Sequence, residues 1–291
     1  MTHSRNYRTL RRLILPALAG GALAALAFAP TFGAEPVQAN VPTQSISAPK
    51  GDAPKADVPK TDVPKADVPR PDDVKTGEIN EPTPHKEANP STFTGTSVIS
   101  ESKTFEHQRF DNTTSDQNSF IGKNKASITI NSSVFDKTGN TTNDDNSNFR
   151  GQNAVVLGIE GSQTSIKDSN ITSNSIGSNA VFATGEGSVI NVENTNIHTK
   201  GDSSRGLDAT YKGTVNGKNL TITTEGAHSA TLATDRGEGT ITAEAAKLTT
   251  SGTGSPVIYS TGNITANNVN GVANKSEIGV VEGKNSITLT N

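Results

Sequence analysis

Residues 204–220 read SRGLDATYKGTVNGKNL, and this run contains three short phrases that recur in the same order down the second half of the chain. The first is Ser, Asn or Glu followed three places on by an apolar residue, here Ser204 and Leu207. It picks out Val156, Phe182, Leu207, Leu232, Ile258 and Val280, at gaps of 26, 25, 25, 26 and 22. The second is Gly-x-apolar, here Gly213 and Val215, with Val189, Ile241 and Ile264 as its other apolar members and Ile287 in a looser form. The third is Asn219-Leu220, matched by Asn170-Ile171, Asn196-Ile197, Lys247-Leu248 and Asn268-Val269. A repeat of this length is one structural unit that cannot bury its apolar face alone, whereas stacked copies can.

Around these beats the sequence alternates, as in Ser127–Asn131 (SITIN) and Leu220–Thr223 (LTIT), with Gly, Asn and Ser between the runs. Alternation bounded by such residues marks short strands, and no window holds a helical period. The expected fold is all-β: a parallel β-helix of about seven coils from Phe120 onward, each coil hydrogen-bonding to the next. The gap from Ile121 to Val156 is 35 rather than about 25, and polar residues 136–149 fill it. They read as a turn insertion, because a solenoid turn can lengthen without disturbing the stack. Within it, Asp136, Asn143, Asp144, Asp145 and Phe149 are the candidate contact loop. Asn170, Asn196, Asn219 and Asn268 are expected to form an amide ladder at one corner, interrupted by Lys247.

Two other zones precede the repeats. Arg5, Arg8, Arg11 and Arg12 lead into the apolar run 13–29, followed by small residues. That is the layout of a secretory signal, with cleavage expected after Ala34 or as late as Ala39. The competing reading is an uncleaved anchor, but the run is short for a span and holds Pro16, Gly20 and Gly21. Residues 35–92 form a proline-rich linker with a pentad at 56–60 (ADVPK), 61–65 (TDVPK) and 66–70 (ADVPR). Proline at every fifth place forbids helix and ladder alike, so the linker is expected to be extended and disordered. The β-helix is assigned to 93–291, with further coils expected beyond Asn291, since the last run stops mid-coil.

Composition narrows the function. There is no Cys and no Trp in 291 residues, which removes disulfides, thiolate metal sites and a cysteine nucleophile. Removing the signal leaves 22 basic against 29 acidic residues, a net of about −7, which argues against nucleic acid and anionic membrane as partners. His3, His85, His107, His198 and His228 do not cluster in sequence, so no metal and no cofactor is expected. Asp208 with Arg205 and Asp235 with Arg236 come closest to the acidic pattern of a polysaccharide-cleaving β-helix. The wider set of Asp144, Asp145, Asp168, Asp202, Asp208 and Asp235 sits at different phases of the repeat, and the expected state is solvated turn charge. Thr-x-Thr runs at 221, 240 and 288 fall out of register with one another, which demotes an ice-binding array.

The runs Gly187–Val192 (GSVINV), 197–201 (IHTKG), 248–252 (LTTSG), 259–266 (YSTGNITA) and 281–290 (VEGKNSITLT) make the chain similar, over 118–291, to the right-handed parallel β-helix passengers of bacterial autotransporters and adhesin-like surface proteins. The resemblance implies export, display at the cell surface or release outside the cell, and a non-enzymatic role in adhesion. The implied partner is a host-cell or matrix component or a glycan. Membrane attachment would then run through a C-terminal outer-membrane barrel beyond this sequence, or through an uncleaved signal. A polysaccharide lyase or hydrolase and a plain structural spacer are the alternatives.

Overall fold

The computed structural model describes residues 8–9 and 88–291. The expected signal peptide, apart from Arg8 and Thr9, and the linker up to residue 87 lie outside the described residues, while the linker's last residues carry a short 3-10 turn at Pro90–Thr92. From Gly95 onward the chain winds as a parallel β-helix of about eight turns, with three strands in a full coil. The first face stacks Gly95–Ile99, Asn118–Gly122, Val156–Gly158, Val181–Thr184, Leu207–Thr210, Leu232–Thr234, Ile258–Ser260 and Gly279–Val281. Arg8–Thr9 adds antiparallel to the last of these. The second face runs from Lys103–Glu106 to Ser286–Thr290 in eight strands, and the third from Arg109–Asn112 to Asn270–Ala273 in seven. The coil of 95–112 precedes the seven expected from Phe120 onward.

Each strand alternates because its period is two. On the second face Ile128, Thr164, Ile190, Val215, Ile241 and Ile264 stack inward, one coil on the next, and all are buried. Phe120, Val156, Val181, Leu207, Leu232 and Ile258 do the same on the first face, and Phe135, Ile171, Ile197, Ile222 and Leu248 on the third. Each such apolar side chain contributes roughly 1.5–3 kcal/mol by leaving water. The first coils use larger fillers: Phe105, Phe110, Phe120 and Phe135 meet edge-to-face or stacked, at ring separations of 4.8–6.4 Å.

The corners explain the Ser and Gly of the phrases. Thr199, Thr224 and Thr250 end their third-face strands pointing inward, and each hydroxyl donates to the carbonyl five residues on, at Ser204, Ser229 and Ser255. Those serines then stack: the N–H of Ser178 donates to the Ser204 hydroxyl, that of Ser204 to Ser229 and that of Ser229 to Ser255, each at 2.9 Å. Gly201, Gly226 and Gly252 lie so close to the coil beneath that an added Cβ would stand 1.9, 1.9 and 1.7 Å from a carbonyl oxygen. Gly213, Gly239 and Gly262 are similarly tight, at 2.1–2.3 Å.

Several beats are shifted from their expected register, among them Leu220 and Val269, which lie two residues ahead of Ile222 and Gly271 in the third-face rank. The residue aligned with Val156 and Leu207 is Val181, not Phe182, and Gly279 rather than Val280 aligns with Ile258. On the second face Ile190, not Val189, aligns with Val215. The chain between the third-face strand Val134–Thr138 and the first-face strand at Val156 also departs from a plain loop. Asp144–Arg150 forms a short α-helix. Asn143 caps it by accepting from the N–H of Asn146, Asp144 and Asp145 sit in its positive first turn, and Gly151 ends it with φ 77°.

Candidate functional site

The helix of 144–150 packs on the outer side of the first face. Its Ser147 hydroxyl donates to the Gly177 carbonyl at 2.6 Å, and the Asn179 amide donates to the Ser147 carbonyl at 3.3 Å. The Thr210 hydroxyl donates to the Phe149 carbonyl at 3.0 Å. The Arg236 guanidinium lies 3.7 Å from the centre of the Phe149 ring, and that of Arg150 lies 3.8 Å from the Tyr211 ring. From Asn118–Gly122 to Leu232–Thr234 the first face is therefore buried on both sides. Its outer rank runs Ile121, Leu157, Phe182, Asp208, Ala233, Tyr259. The first three form a second apolar cluster with Ala154 and Ile159.

Asp208 thus occupies a place where the preceding coils hold Leu157 and Phe182, and it is fully buried. Arg205 brings it together with Asp235 of the next coil. The guanidinium Nη2 is 3.1 Å from Asp235 Oδ2, Nε is 3.7 Å from Asp208 Oδ2, and Nη1 donates to Asn148 Oδ1 of the helix at 2.8 Å. The expectation of separate, solvated turn charges is corrected here. Register stacks the two coils, and the helix seals them from water. Neither oxygen of Asp208 makes an aligned hydrogen bond, nor does Asp235 Oδ2 despite its short ion-pair distance.

Asp208 and Asp235 share Arg205, while Arg236 adds its pull on Asp235, so Asp208 is the less compensated of the two. Burial, and then the Asp235 charge, push the Asp208 carboxyl well above the usual range; Arg205 and the nearby Ala209 N–H pull it back only in part. Burial also raises Asp235, against the pull of Arg205, with Glu282 adding to the rise. Burial opposes the charge on Arg205, but Asp235 and Asp208 outweigh it and hold the side chain protonated. Tyr259, in the next coil, is raised by burial and then by Asp235 and Glu282. The set resembles an acid–base cluster in composition, but Asp208 has no exposure to a substrate.

The second face is open by contrast. Ser165, Asn191, Asn216, Thr242 and Thr265 form one outward rank in register, and Lys167, Glu193, Lys218, Glu244 and Asn267 form another two residues on. Between them lies a groove of about 550 Å³ crossing five coils. The rank of small polar residues is laced along the axis: the Asn216 amide donates to Asn191 Oδ1 at 2.9 Å, and the Thr242 hydroxyl to Asn216 Oδ1 at 2.7 Å. Lys167 meets Glu193 at 2.8 Å and Lys218 meets Glu244 at 3.5 Å, so the charged wall neutralises itself. The hydrogen bond to Glu193 raises the Lys167 ammonium above its ordinary value.

The four Asn expected in one ladder fall in two. Asn170 and Asn196 are register partners on the third face, joined amide to amide at 3.2 Å, and the next partner in that rank is Thr221. Asn219 and Asn268 instead sit at the preceding corner with φ of 53° and 50°. There Asn219 donates to Asn194 and Asn194 to Asp168, both at 3.1 Å. Left-handed backbone favours Asn at such corners, and stacking then supplies the bond. Of the contact-loop residues, Asp136 lies in the third-face strand Val134–Thr138, Asn143 and Asp144 are exposed at the helix start, and Asp145 and Phe149 are half-buried. His198 and His228 do not share a site: His198 Nε2 meets Glu225 Oε1 at 2.6 Å, and His228 lies against Gly254 at another corner.

Among the described residues no His, Cys, Asp and Glu group has the arrangement of a metal site, and no helix is long and apolar enough to cross a membrane. No protein-family profile matches the chain, and neither a curated protein nor a solved structure is significantly similar to it.

Proposed function

We propose that this chain is an exported, non-enzymatic β-helix protein that makes adhesin-like contacts at or outside the cell surface. The observation that carries the reading is the second-face groove, an exposed strip of aligned polar side chains held rigid by hydrogen bonds to neighbouring coils. Such a strip is pre-organised, so little ordering entropy is lost when a partner settles on it. The secretory layout of residues 1–34 and the polar composition agree with export. Attachment of the purified full chain to immobilised host-cell and matrix components tests the binding role. Fractionation and N-terminal sequencing of the mature chain test export. A mature start after Ala34 or Ala39 supports the reading, and retention inside the cell with no binding overturns it.

The cluster of Arg205, Asp208, Asp235 and Tyr259 favours a second reading, a polysaccharide-cleaving enzyme, because adjacent coils bring acids and a base to one face. Its burial favours the first. Release of reducing ends or unsaturated products from a panel of polysaccharides, abolished by Asp208→Asn, would decide for the enzyme.

A further inference from the structure

We propose that the second-face groove binds an uncharged, linear polysaccharide lying along the axis of the helix. The inference rests on the surface-contact reading above and names the chemistry of its ligand.

Three features of the groove select this class. The first is direction. The groove runs between two outward ranks and crosses five coils, so at the usual strand spacing its end coils are about 19 Å apart. It presents the same kind of side chain once per coil, at a spacing close to the advance of one sugar unit in an extended chain. A linear polymer of repeating units can match that period, and a compact ligand cannot.

The second is charge. Lys167 and Lys218 are each tied to a glutamate of the neighbouring coil, Glu193 and Glu244. An anionic polymer would meet a carboxylate as often as an ammonium. A neutral one has nothing to displace and loses nothing to the alternation.

The third is the kind of hydrogen bond on offer. The second-face backbone is already committed to the parallel ladder with the coils on either side, so an extended peptide cannot join it as a further strand. What remains are side-chain amides and hydroxyls. Asn191 keeps both amide hydrogens, Asn216 keeps one, and the Thr242 hydroxyl still accepts. Mixed donors and acceptors suit sugar hydroxyls, which both give and take. None of the lining residues is aromatic, so no ring stacks on a sugar face. Each unit is then held weakly, and affinity accumulates along the chain.

The experiment titrates the full-length protein by NMR or calorimetry with neutral oligosaccharides of two to eight units (β-1,4- and α-1,4-linked glucose, xylose and N-acetylglucosamine series). Heparin and hyaluronan fragments and an unstructured peptide are the comparisons. At least one neutral series should bind, with affinity rising up to about four or five units, the number the groove spans. Binding should change little between about 0.05 and 0.5 M salt, since no net charge is paired. Asn216→Ala, at a half-buried surface position, should leave the melting temperature nearly unchanged and weaken binding about three- to tenfold. A preference for the anionic fragments with steep salt dependence, preferential binding of the peptide, or neutral binding that Asn191→Ala and Asn216→Ala leave untouched would overturn the inference. If the protein still attaches to cells or matrix in those cases, only the ligand assignment fails; if it attaches to nothing, the surface-contact reading fails with it.

Discussion

Asp208→Asn should make this protein more stable at neutral pH, although it removes one member of a buried charged cluster. Asparagine keeps the shape of the side chain and discards its charge. In the wild type Asp208 and Asp235 share Arg205, which lies nearer Asp235, at 3.1 Å, than Asp208, at 3.7 Å, and Arg236 adds its pull on Asp235. Neither Asp208 oxygen gains an aligned hydrogen bond in exchange for its lost water. An ionised carboxylate so placed costs several kcal/mol, and taking up a proton instead costs about 1.4 kcal/mol for each unit by which the pH exceeds the ordinary carboxyl value. Relief of either cost is worth about 1–3 kcal/mol. For a domain of this size that raises Tm by about 2–4 °C per kcal/mol. The sign with pH is fixed by the raised carboxyl: the folded state binds the proton more tightly than the unfolded chain. The contribution of Asp208 to wild-type stability is therefore greatest below the unfolded value, near 3.9, and falls as pH rises toward the folded value. The advantage of Asp208→Asn should be small at about pH 4 and widen toward pH 8. Urea and thermal unfolding followed by circular dichroism across that range measure it. A variant less stable than wild type at neutral pH, or an advantage that does not change with pH, would refute the reasoning and make Asp208 a well-paired ion.

The other expectations concern the stack, the docked helix and one buried amine. Gly226→Ala places a methyl 1.9 Å from the Gly201 carbonyl and should destabilise by about 3 kcal/mol or more, whereas Gly185→Ala meets no atom nearer than 3.9 Å and should cost only the left-handed backbone penalty, about 1 kcal/mol. Chemical denaturation of the pair measures the contrast. Phe149→Ala removes the ring under Arg236 and should loosen the helix, at a cost of about 2–4 kcal/mol. Amide exchange at 144–150 and along Val181–Thr184 should speed up before the rest of the solenoid responds. Burial lowers the Lys137 amine to about 8, where it donates to the carbonyls of Thr114, Thr138 and Gly139. The unfolded chain then binds more protons between pH 8 and its unfolded value, so wild-type stability should rise across that window, and Lys137→Met should flatten the slope.

The inner ranks were legible because alternation and spacing suffice for them. Leu207, Leu232 and Ile258 align as their phrases do. The slip at Phe182 has a clear cause. A strand covered on both sides loses its polar rank, so Val181 and Phe182 look equally like core. The Asn ladder divided because two ranks of Asn, at 194 and 196, stand only two residues apart, and Thr221 takes the place of Asn in one of them. Burial of Asp208 had no local signal. Asn148 and Phe149 reach Arg205 and Thr210 from 57 and 61 residues away, and only their arrival turns a surface rank into an interior one. The second-face groove was written in the sequence as the residues between the apolar beats, and a search for catalytic motifs passes over such residues.

The docked helix also changes how the contact-loop idea must be tested. Deleting 136–149 would remove part of the strand Val134–Thr138 and uncover Ile121, Leu157 and Phe182. The new apolar strip would favour association between molecules, and lost or gained attachment would say nothing about recognition. Asp144→Ser is the cleaner change. Asp144 is exposed in the first turn of the helix, and losing its charge there costs about 0.3–1 kcal/mol while the Asn143 cap and the Ser147 anchor remain. If recognition lies in the second-face groove, Asp144→Ser should attach to immobilised partners as wild type does, while Asn216→Ala attaches more weakly. The reverse pattern would place recognition on the helix and leave the groove a bystander.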